Sequence, residues 1–132
     1  MIFIIPNGKR VEVKDRKVKE IVTTRLSPIF YWQYLKSISK EGVLAFFDKK
    51  ADYETVKKIC WYVLFYAENL VFSGYLLTLG NEGVERAENY LEFNRPLLEE
   101  LRKLYKEVKE DNCYEIADKM IRECLRYGID PF

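Results

Sequence analysis

This 132-residue sequence predicts an α+β fold, with a small β-sheet opened by an N-terminal hairpin and covered by a cluster of helices. Three observations point there. Asn7-Gly8 stands between the short segments Ile2-Phe-Ile-Ile-Pro6 and Lys9-Arg-Val-Glu-Val13. From Asp15 onward the apolar residues change to helical spacing. Gly42-Val-Leu-Ala-Phe-Phe47 is a short apolar run between charged flanks.

Asn-Gly supplies the positive φ angles of a two-residue turn, so the chain is expected to open with a strand, a tight turn and a second strand. Val18, Ile21, Val22 and Leu26 then fall on one helical face, with Asp15 as cap and Ser27-Pro28 as the stop. Ile29 to Ile38 has the spacing for a second short helix, with Phe30, Tyr34 and Leu35 on one side. The run Gly42–Phe47 reads as a buried strand, being short for a helix.

Asp52 reads as the N-cap of a helix to about Ala67, with Val56, Ile59, Cys60, Val63 and Ala67 facing inward. Trp61, Tyr62, Leu64, Phe65 and Tyr66 make its second half apolar all round, which requires a central or covered position. Leu70 to Leu79, interrupted by Ser73-Gly74, fits either an edge strand or a loop packed on the core. Asn81 can cap a short helix to about Phe93. Pro96 then stands at the first position of the next helix, with Leu97, Leu98, Leu101, Leu104, Tyr105 and Val108 as its apolar face. Asn112 and Glu115 resemble a capping box for a last helix with Ile116, Ala117, Met120, Ile121, Cys124 and Leu125 inward; Gly128 and Pro131 end it. With no repeat or long linker, residues 1–132 read as a single domain with its C-terminal helices over about 96–129.

With 48% apolar and 33% charged residues the composition is globular, and roughly two-thirds of the unfolded surface can be buried at this length. Twenty-two Lys and Arg against 21 Asp and Glu leave a net charge of +1, a weak basis for binding a polyphosphate. Lys9 to Lys19 is basic but lacks aromatic stacking partners, so it reads as a solvated face, and nucleic acid is not an expected partner. The start Met1 to Pro6 lacks a signal-peptide pattern, and Ile59 to Ala67, the longest apolar run, is far short of the ~20 residues that span a bilayer. The expectation is a soluble intracellular protein, cytoplasmic or nuclear, with no membrane partner.

The sequence has no histidine, which removes the commonest general base and metal ligand and excludes Ser-His and Cys-His nucleophile pairs. Cys60, Cys113 and Cys124 have no C-x-x-C spacing and read as small buried hydrophobes, so no metal and no cofactor is expected. The carboxylates of Glu99-Glu100, Glu107, Glu110-Asp111 and Glu82/Glu85/Glu88 lie among Lys and Arg at helical spacing and read as solvated faces. With no phosphate loop or nucleophile motif, the chain reads as non-catalytic. Aromatic residues, 15% of the chain, concentrate in Phe30–Tyr34 and Trp61–Tyr66 on more than one helix face. Core packing can absorb most of them, or a partner or second subunit covers some of Tyr31, Trp32, Trp61, Tyr62 and Tyr66.

Several segments resemble, in order, the POZ/BTB fold, and within it elongin C and the S-phase kinase-associated adaptor of SCF ubiquitin ligases. These are Ile2 to Val13, Thr23-Thr-Arg-Leu-Ser-Pro-Ile-Phe30, Val43 to Tyr66, and above all Ala87-Glu-Asn-Tyr-Leu-Glu-Phe93 followed by Pro96-Leu-Leu98. The likeness covers about Ile2 to Leu98. It implies a non-catalytic adaptor joining a cullin-type scaffold to an F-box-like or BC-box-like receptor in a ubiquitin ligase. The family's cullin-facing pair would fall on Asn89 and Tyr90. Its receptor-facing residues would fall on Leu97, Leu98, Leu101, Met120 and Ile121. A self-associating POZ-type homodimer, with no cullin partner, is the alternative.

Overall fold

The computed structural model describes Ile2–Ile4, Arg10–Glu12 and residues 40–132. Strands β1 (Ile2–Ile4) and β2 (Arg10–Glu12) pair antiparallel, with Phe3 opposite Val11. Four helices follow: α1 (Lys40–Phe47), α2 (Tyr53–Glu82), α3 (Val84–Lys106) and α4 (Cys113–Arg126). The Asn7-Gly8 turn, the expected helices between Asp15 and Ile38, and the basic stretch of Lys9 to Lys19 beyond β2 lie outside the described residues.

Residues 40–132 are 80% helical with no strand among them, which corrects the α+β expectation and the POZ/BTB architecture with it. Among the described residues the sheet is no more than the β1–β2 pair, whose second strand contacts α2. The expected strand Gly42–Phe47 belongs to α1. Alternation would put Leu44 and Phe46 on one face, whereas Phe46 is buried and Leu44 and Phe47 are exposed, a helical distribution. A short apolar run cannot be assigned by periodicity alone, and packing decided this one.

α1 ends in a Schellman turn, Lys49 N–H donating to Phe46 O (3.0 Å) and Lys50 N–H to Ala45 O (2.8 Å). Asp52 caps α2 as expected, its carboxylate accepting from Thr55 N–H at 2.9 Å. The expected inward face, Val56, Ile59, Cys60, Val63 and Ala67, is fully buried.

α2 does not stop near Ala67. It continues through Ser73-Gly74 to Glu82, 30 residues in all, so the stretch left open between strand and loop is helix. A mid-helix glycine costs only about 1 kcal/mol relative to alanine, less than the packing recovers here. Polar side chains along it are satisfied by their own helix: Asn69 Nδ2 donates to Phe65 O (2.8 Å) and Thr78 Oγ1 to Gly74 O (2.7 Å). By length and composition α2 could cross a membrane, though 44% of its most apolar window is buried inside the protein. It is the central helix, packed against α1, α3 and α4, as its apolar circumference requires.

Gly83, at φ +92°, is the single residue between α2 and α3. It reverses the chain, and the pairs Tyr75–Glu88, Gly74–Tyr90 and Glu68–Arg102 show α3 running antiparallel along α2. Asn81 therefore lies in the last turn of α2 and caps nothing, and Pro96 lies inside α3. The two short helices expected on either side of Pro96 are one, held by a continuous face of Leu97, Leu98, Leu101 and Leu104. Each such leucine contributes roughly 1.5–3 kcal/mol by burial.

Asn112 stands at the N-cap of α4 without a side-chain cap bond. Its amide braces the preceding loop instead, Oδ1 accepting from Lys109 N–H (2.6 Å) and Nδ2 donating to Glu107 O (2.9 Å). The expected capping box is thus a loop clamp. Gly128, at φ +75°, ends α4 in a second Schellman turn: its N–H reaches Leu125 O at 3.0 Å and that of buried Ile129 reaches Cys124 O at 2.9 Å.

One core joins Phe46, α2, α3, α4 and Ile129; a smaller one, Phe72, Tyr75, Leu76 and Ala87, lies toward the α2–α3 reversal. Tyr90 and Leu91 pack against both.

Candidate interaction groove

The apolar face of α4 is wider than its buried stripe. Ile116, Ala117, Met120 and Cys124 point into the core, while Tyr114, Asp118, Ile121, Arg122 and Leu125 share an adjoining face at helical spacing. Where that face meets α1, a groove of about 450 Å³ opens. Phe46 and Tyr114 form its floor, Phe47 and Ile121 its walls, and Lys49, Glu115, Asp118 and Arg122 its mouth.

The floor is fixed. The Phe46 and Tyr114 rings stack nearly parallel, with centroids 5.6 Å apart and an interplanar angle of 2°. The Tyr114 hydroxyl accepts from Ala51 N–H (2.8 Å) and lies 3.1 Å from Ala51 O, to which it donates. One side chain thereby ties the α1–α2 connection to α4. Phe47 meets Phe46 edge-on at 5.4 Å and Phe132 at 5.2 Å, yet remains 56% exposed. Burial of such a ring against a partner is worth more than its present solvation. At the mouth Arg122 pairs with Asp118 (2.8 Å) and Lys119 with Glu115 (3.2 Å), exposed pairs that each contribute little to stability.

The residues singled out from sequence are dispersed. Asn89 is exposed on α3. Tyr90 is half-buried and lies over Gly74, and burial pushes its hydroxyl pKa upward. Leu97, Leu98, Leu101 and Met120 are core residues. Tyr62 is buried near them, its hydroxyl donating to Pro131 O at 2.7 Å and its ring 5.6 Å from that of Phe132. Trp61 is half-buried and stacks on Phe65 at 4.8 Å. Only Ile121 lines the groove.

Sequence reasoning missed Phe46, Phe47, Lys49, Tyr114 and Arg122. The spacing of Tyr114, Ile121 and Leu125 marks a second apolar stripe on α4, but the strand expected over Gly42–Phe47 hides its neighbour α1. The three cysteines are buried free thiols; burial lifts Cys60, with Cys113 nearby, and Cys124, beside Glu123, to about 12. Among the described residues, no three Cys, Asp or Glu side chains are grouped as a metal site would need. No protein-family model matches the chain, and no curated protein or solved structure matches it.

Proposed function

We propose that this chain is a non-catalytic protein-interaction module that binds a partner through the groove between α1 and α4. The observation that carries the reading is a stacked aromatic floor, Phe46 on a hydrogen-bonded Tyr114, beside a wall ring, Phe47, left more than half exposed. Preorganised aromatic surfaces bind with little conformational cost, and such residues dominate interface energetics. A bridge between a cullin-type scaffold and a receptor is a narrower form of this proposal. It needs a receptor surface other than Leu97, Leu98, Leu101 and Met120, which are occupied by the core.

The test is affinity capture with the full chain, identification of a captured protein, and calorimetric titration of that purified protein. Phe47→Asp, at an exposed position, is expected to leave the fold intact and weaken binding at least tenfold, whereas Glu99→Lys, at an exposed position of α3, leaves it unchanged. A purified partner that binds Phe47→Asp as tightly as the unaltered chain counts against the groove.

A further inference from the structure

The groove's charge indicates which class of partner it fits, an inference that rests on the interaction reading above. Both carboxylates at the mouth are neutralised on their own helix, Asp118 by Arg122 and Glu115 by Lys119. Lys49 is the remaining mouth cation, and among the described residues it has no ion-pair partner. Exposed Lys50 adjoins it.

The backbone at Lys49 makes this placement notable. Its φ is +56°, and in the described residues it is the one non-glycine with positive φ. That position of a Schellman turn favours glycine, and a side chain there costs on the order of 1 kcal/mol. Left-handed non-glycine residues held by surrounding structure concentrate at ligand-binding sites. Here Tyr114 of the floor is hydrogen-bonded to Ala51, two residues beyond Lys49, which ties the turn to the aromatic floor. The adjacent surface already accepts an aromatic side chain of this chain: Phe132 packs on Phe46 and Phe47, with ring centroids 6.5 and 5.2 Å away.

We propose that the groove receives an acidic-aromatic segment of a partner protein. A large apolar or aromatic side chain of that segment stacks on Phe46 and Tyr114 between Phe47 and Ile121. A carboxylate within two or three residues of it pairs with Lys49.

The probe is a random 12-residue peptide library displayed on phage and selected against the full chain, with counter-selection on Phe47→Asp. Peptides lost on Phe47→Asp are expected to carry Asp or Glu next to Phe, Trp or Leu. Synthetic copies should weaken roughly tenfold on Lys49→Glu and weaken further with added salt. Circular dichroism of both variants confirms that they fold. Groove-dependent peptides with no excess of acidic residues, or indifferent to Lys49→Glu, overturn the acidic class while leaving the interaction reading in place. Selection of no peptide that depends on Phe47 overturns both. A concentration-dependent dimer of the chain that Phe47→Asp dissolves overturns the proposal too, and assigns the groove to a second copy.

Discussion

Tyr90 of α3 crosses Gly74 of α2 so closely that a Cβ at Gly74 would fall within the ring and hydroxyl of the tyrosine. Gly74 is the notch that lets two long antiparallel helices approach. Gly74→Ala gains about 1 kcal/mol of helix propensity but incurs an overpacking cost of roughly 1–3 kcal/mol. The net expectation is destabilisation in urea unfolding. In Gly74→Ala/Tyr90→Ala the clash is absent, so the double-mutant cycle should show clear non-additivity. Additive effects would mean that the two residues do not meet.

Lys49→Gly removes a left-handed strain and should stabilise the chain by about 1 kcal/mol, less what the freer unfolded chain regains. The same substitution removes the mouth cation. Higher stability together with weaker binding of acidic peptides separates the two roles of the residue in one variant.

Tyr114→Phe keeps the ring stacked on Phe46 but deletes both hydrogen bonds to Ala51. A loss of about 1–3 kcal/mol is expected, because the Ala51 backbone then lacks its partners. Amide hydrogen exchange at Ala51 should quicken before that of the α2 core. Unchanged exchange there would contradict the clamp.

Pro96 interrupts the hydrogen-bond ladder of α3 at an exposed position. Pro96→Ala restores a donor and should raise stability by about 1–3 kcal/mol, readable as a higher melting temperature. Destabilisation would indicate that the helix path depends on the proline.

Cys60 and Cys124 are held neutral by burial, their pKa lifted from 9.0 to about 12. The unfolded chain releases these protons near pH 9 and the folded chain does not. Their contribution is therefore full below pH 9 and is lost as pH rises from 9 toward 12. Urea midpoints measured across that window should fall, and more gently in Cys60→Ala/Cys124→Ala. Both thiols should react with a thiol reagent only on unfolding.

The inward stripes were legible in the sequence. Val56, Ile59, Cys60, Val63 and Ala67, then Leu97, Leu98, Leu101 and Leu104, then Ile116, Ala117, Met120 and Cys124 lie in the core as their spacing requires, whereas Leu125, expected inward with them, is 51% exposed and Ile121 is only half-buried. The Asp52 cap was legible too, because a cap is a local hydrogen bond. The site was barely legible: of the groove's lining only Ile121 is among the binding residues the sequence suggests, since the groove exists where two helices distant in sequence meet.

By itself, then, the amino-acid pattern determined which residues leave water and that α2 must be covered on several sides, because burial follows periodicity along one helix. Tertiary structure alone decided whether Gly42–Phe47 is helix or strand, whether Gly74 and Pro96 break their helices, and that Lys49 stands beside Phe46 and Tyr114. Each of these rests on contacts made by residues far apart in the chain. Packing free energy from such contacts exceeds the roughly 1–3 kcal/mol by which a local preference resists.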